Sequence, residues 1–119
     1  MNSGKETENA LQCQMKQLET EHENLDKMFQ EVRKEEEAYN DRLGYQFIRL
    51  EEISARCGAL YPEGAGYIAD CQNALNHQRV SSEEFLDELK IFVRKKHQEL
   101  DMQEEAVYQQ LLELQGNNS

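Results

Sequence analysis

The chain has 119 residues and sets 24 acidic against 13 basic side chains, a net charge of −11. That balance argues against phosphate-rich partners, because nucleic acid and anionic lipid are held by clustered Lys and Arg. The length fits one domain at most, and ten β-branched side chains against abundant Glu, Gln, Leu and Lys exclude a strand-rich fold. No apolar run exceeds three residues, as at Ile91-Phe92-Val93, so nothing spans a membrane, and residues 1–10 lack the apolar stretch of a secretory signal. The class expected is all-α.

The first half carries a heptad repeat. Positions 11, 15, 18, 22, 25, 29, 32, 36, 39, 43, 46, 50, 53, 57 and 60 step alternately by four and three, and twelve of these fifteen are apolar when Cys57 is included. This spacing predicts one long helix over about 6–57 with a coiled-coil seam, a rod of about 75 Å. His22, Glu36 and Gln46 are the polar residues on that seam.

Over about 58–66 the repeat breaks into Gly58-Ala-Leu-Tyr-Pro-Glu-Gly-Ala-Gly66. Glycine ends helices in the left-handed conformation and Pro62 biases Tyr61 away from helix, so a loop is expected. A second helix follows over about 67–115. Ser81 with Glu84 reads as a capping box, which predicts a kink or a fresh start there. Its seam is expected to run through Phe85, Leu89, Phe92, Leu100, Val107, Leu111 and Leu114, with Leu89, Leu100 and Leu111 spaced by eleven.

Two helices of similar length with a short connection fold back as an antiparallel hairpin, in which opposed residues have numbers adding to about 127. That register places Cys57 near Cys71, Gln46 near Ser81 and Ser82, and Glu36 about one turn from Lys96. The three cysteines form no CxxC pair and read as reduced, apolar packing residues, with a Cys57–Cys71 disulfide as the lesser alternative.

No constellation for chemistry stands out. Glu19-x-x-His22 has the spacing used in carboxylate-bridged di-iron bundles, but such sites need the motif twice, and it occurs once. His77 and His97 read as surface or edge residues. There is no phosphate loop, Ser-His-Asp set or HExxH. The expectation is therefore no enzyme, no cofactor and no metal. Apolar side chains off the two seams point instead to a face that packs on other helices. Tyr45 and Ile48 on the first helix, and Leu86, Ile91, Val93, Met102 and Leu112 on the second, are the expected partner-binding residues.

The layout resembles the small α-helical accessory proteins encoded beside LXG toxins of Gram-positive type VII secretion. Carrying the resemblance are an acidic leading helix with Glu35-Glu36-Glu37-x-Tyr39, then His77-Gln78, then Glu104-Glu105-x-x-Tyr108-x-x-Leu111. It implies a targeting factor or chaperone that binds the helical N-terminal domain of a toxin, alongside a second small helical accessory protein. It also implies residence in the cytoplasm, with export, where it occurs, in company with the partner. Related secreted hairpins carry Trp-x-Gly in the loop, whereas this chain offers Leu60, Tyr61 and Gly64. The one match to a Tyr/Phe-x3-Asp/Glu export signal runs from Phe47 to Glu51, inside the first helix. The alternative is a self-associating coiled-coil spacer, stalk or chaperone of another export apparatus, which would bury the same apolar stripes in a homodimer.

Overall fold

The structure, a computed structural model, describes residues 3–58 and 60–117. It consists of two helices, α1 (Ser3–Cys57, 55 residues) and α2 (Pro62–Asn117, 56 residues), with no strand among the described residues. They pack against one another as an antiparallel hairpin, the arrangement expected from composition and spacing. The termini of α1 complement the helix dipole, with Glu6 in the first turn and Arg56 in the last. Exposed pairs such as Arg33–Glu37 at 3.4 Å lie along the outer faces, where each contributes about 0.3–0.5 kcal/mol.

The hairpin divides into two units. The first comprises Met1–Gln30 with Lys90–Ser119. Its core is Leu11, Leu18, Leu100 and Val107, flanked by Met15, Leu25 and Leu111, and Val93 is buried in the same unit. All four of the α1 residues are on the expected heptad. The second unit is Glu31–Leu89, whose one buried apolar side chain among the described residues is Leu43. Around Leu43, half-buried Val32, Tyr39, Phe47, Leu50, Ile68, Leu75, Leu86 and Leu89 complete a thinner seam.

Within this second unit the α1 seam slips by one residue. Beyond Leu43 the covered positions are Phe47, Leu50 and Ser54, while Gln46, Ile53 and Cys57 are exposed. A step of four replaces a step of three because a straight helix of 3.6 residues per turn drifts off a strict 3.5 repeat. The α2 seam also differs from expectation at two places: Leu86 and Val93 point inward where Phe85 and Phe92 were expected, these two being exposed, while Leu89 is half-buried as expected.

The turn is tighter than expected. Pro62 opens α2 rather than interrupting a loop, since its fixed φ and missing N–H suit the first helical position. Gly64 and Gly66 are therefore helical, and the Gly64 N–H bonds the Tyr61 carbonyl at 2.9 Å. The Cys57 carbonyl closes α1 by accepting from the N–H groups of Leu60 and Tyr61, at 3.1 and 2.7 Å. Gly58 does not take a positive φ. It is needed for close approach instead, because a Cβ there would stand 2.7 Å from the Ser54 carbonyl oxygen.

Moving the start of α2 forward moves the register with it, by about two turns in this unit. Tyr39 Oη donates to Gln78 Oε1 at 3.4 Å, and Gln72 Nε2 donates to the Phe47 carbonyl at 3.4 Å. Gln46 accordingly faces the stretch around Cys71 and Leu75, and Ser82 lies by Val32 and Tyr39. Cys57 and Cys71 do not meet, and all three cysteines are free thiols on the surface rather than packing residues. Glu36 is bonded by Asn40 Nδ2, and Lys96 pairs with Glu99 at 3.5 Å, so the expected Glu36–Lys96 pair is replaced by partners on each residue's own helix. α2 is one helix through Ser81, with neither a fresh start nor a break.

Candidate functional site

Two features remain once the hairpin has used its seam: apolar side chains that it does not cover, and a polar layer inside the first unit. In the first unit, Ile91, Met102 and Leu112 project from α2 into solvent, Met102 with 74 % of its surface exposed. Phe92 and Tyr108 are exposed on the same helix. In the second unit Tyr45 and Ile48 project from α1, with 68 % and 57 % exposed. Ile48 also borders a shallow groove with Leu43, Phe47, Leu75 and Arg79, opened where Gly44 has no side chain. Leu60, Tyr61 and Tyr67, at the turn, are exposed as well.

Two of the seven expected partner-binding residues are placed otherwise. Val93 is 9 % exposed, enclosed between the helices, and Leu86 is half-buried on the same seam. The reason is the slip noted above: with Phe85 and Phe92 turned outward, their neighbours Leu86 and Val93 turn inward. The remaining five are on the surface.

Half of the polar layer is legible in the sequence. His22 sits on the seam as expected, but His97, read as an edge residue, faces it from α2. Their Nδ1 atoms are 2.7 Å apart. The ring centroids are 4.9 Å apart and the planes differ by 19°. That centroid separation is close to the N···N distance plus the two ring radii, so the rings lie end to end in nearly one plane, joined by a hydrogen bond. Beyond His97, its Nε2 reaches Asp26 Oδ1 at 2.8 Å. Beyond His22, its Nε2 lies 3.0 Å from Glu104 Oε1 and 3.4 Å from Asp101 Oδ1. Neither oxygen meets it in hydrogen-bond geometry, and this nitrogen is buried without a hydrogen-bond partner. Glu19, the other half of the Glu19-x-x-His22 spacing, is exposed and takes no part.

Asp26, His97, His22 and the Asp101/Glu104 pair thus form one continuous line across two helices. Asp101 and Glu104 are three residues apart, which brings them to the same face of α2. Only the register between the two helices brings these five residues together, and no local sequence signal sets it.

No protein-family model, curated protein or solved structure matches the chain.

Proposed function

We propose that the chain is a non-catalytic helical adaptor that completes a bundle with the helices of a protein partner. One observation carries this reading. Among the described residues six apolar side chains are buried, while fourteen large ones stand exposed. Scattered surface hydrophobes are ordinary, but a hairpin that fully encloses so few apolar side chains and leaves so many large ones exposed gains stability by covering them. Ile91, Met102 and Leu112 on α2, with Tyr45 and Ile48 on α1, are the anchors, engaged by helix-in-groove packing. The resemblance to accessory proteins of type VII secretion gives the partner its specific form. It is the helical N-terminal domain of an LXG toxin, which the adaptor accompanies to the export machine with no chemistry of its own. No helix among the described residues is long and apolar enough to cross a membrane.

The test is affinity purification of the tagged chain from its native host, with mass spectrometry of what accompanies it. A large protein with a helical N-terminal region and a toxin-like C-terminal part is the expected catch. The double variant Ile91→Glu/Met102→Glu should lose it while keeping its helical circular dichroism. Recovery of the chain alone as a stoichiometric dimer would overturn the reading in favour of a self-associating coiled coil. Loss of helicity in the double variant would assign both residues to the hairpin's own core.

A further inference from the structure

We propose that His22 Nε2, Asp101 and Glu104 bind a divalent transition-metal ion of the zinc class, with His97 and Asp26 holding the His22 ring in the liganding tautomer. The proton inventory of the layer leads there. A carboxylate cannot donate, so the hydrogen bond between His97 Nε2 and Asp26 places a proton on that nitrogen. A neutral His97 then offers Nδ1 as an acceptor, and His22 must donate to it from its own Nδ1. This leaves His22 Nε2 with a lone pair, buried and aimed at two carboxylates that also carry only lone pairs. Three acceptors converging on one point repel unless a cation lies between them.

The spacing fits a metal ion. A tetrahedral ion with bonds of about 2.0–2.1 Å holds neighbouring donor atoms about 3.3 Å apart. The two nitrogen–oxygen separations, 3.0 and 3.4 Å, bracket that value, and all three donor atoms lie within 4.8 Å of one another. The exposed Asp101 side chain has room to turn and complete the set. One imidazole with two carboxylates is a mixed nitrogen–oxygen set suited to zinc and its first-row neighbours, and three protein ligands leave a fourth position for water. A liganding histidine usually donates its other N–H to a partner that fixes the ring. Here the partner is His97, itself anchored by Asp26.

The full chain, with its exposed thiols alkylated so that they cannot take up metal, is stripped with a chelator and titrated with Zn2+ alone. Calorimetry should saturate at one ion per chain in the micromolar range. In 15N imidazole spectra the His22 Nε2 resonance should move on titration while His97 keeps its Nε2 proton. Glu104→Gln and Asp101→Asn should each weaken binding at least about tenfold, and Asp26→Asn by about 10- to 100-fold through the tautomer. Glu105→Gln, one position outside the set, should leave it unchanged. No saturable uptake, unchanged affinity in Glu104→Gln, or a His22 Nε2 signal indifferent to Zn2+ would each overturn the site, a proton then being the cation between these groups. Should a variant lose helicity, the nitrogen spectrum of the unsubstituted chain still decides.

Discussion

Leu100 is the most enclosed side chain of the first unit, 1 % exposed and packed with Leu11, Leu18 and Val107. Leu100→Ala removes three buried carbon groups, and at about 0.8 kcal/mol each the lost transfer free energy is about 2.4 kcal/mol. A cavity term adds to this, but a seam of two helices has solvent close by and can sag inward, which favours the lower part of the usual Leu→Ala range of about 2–5 kcal/mol. The expected loss is about 3 kcal/mol, a large share of the stability of about 5–15 kcal/mol typical of a domain. Urea unfolding followed at 222 nm reads this directly: with m of about 2 kcal/mol per molar, the midpoint falls by about 1.5 M. Met102→Ala, two residues away and mostly exposed, should stay within about 0.5 kcal/mol of the parent. Equal losses in the two variants, or a loss below about 1 kcal/mol for Leu100→Ala, would refute the packing and its energetics together.

Four further outcomes follow from the same geometry. Val93→Glu should unfold the hairpin, because an unpaired charge in the enclosed position costs several kcal/mol, whereas Ile91→Glu leaves circular dichroism and melting nearly unchanged. Gly44→Ala should stabilise by about 0.5–1 kcal/mol, since a Cβ there meets nothing within 4 Å and mid-helix glycine carries excess unfolded-state entropy. Gly58→Ala should destabilise by about 1–3 kcal/mol, its Cβ being driven against the Ser54 carbonyl; denaturant midpoints compare the two. Native-state alkylation followed by mass spectrometry should modify Cys13, Cys57 and Cys71 rapidly, and a Cys57–Cys71 disulfide under non-reducing conditions would contradict the register.

The fold was legible where the signal was local and redundant. Leu11 through Leu43 repeat so regularly that the α1 seam could be written down from spacing, and the helical class followed from composition. What could not be read was phase over distance. Phe85 and Phe92 are seven apart and large, so they imitate a heptad pair, yet choosing Leu86 and Val93 in their place, on either side of the expected Leu89, keeps branched aliphatic side chains at the close helix contact. The drift at Phe47 is similar: no residue marks it, because it arises from the mismatch between 3.6 and 3.5 residues per turn.

The turn shows how one local ambiguity propagates. Pro62 is compatible with a loop and with the first position of a helix, and the glycines around it favour the former when read alone. Starting α2 at Pro62 changes which residues face each other: it parts Cys57 from Cys71 and leaves Glu36 and Lys96 to partners on their own helices. The histidine layer depends on the same choice. His22 was visible as a polar residue on an apolar seam, but His97, Asp101 and Glu104 read as ordinary members of a charged helix until the register sets them opposite it. A polar layer of this kind is costly within so small a core, since every donor and acceptor must be matched. Asp26, His97 and His22 match one another through two hydrogen bonds, and the single unmatched nitrogen points at two carboxylates. The cost is therefore concentrated at one atom, the position where a bound cation would offset it.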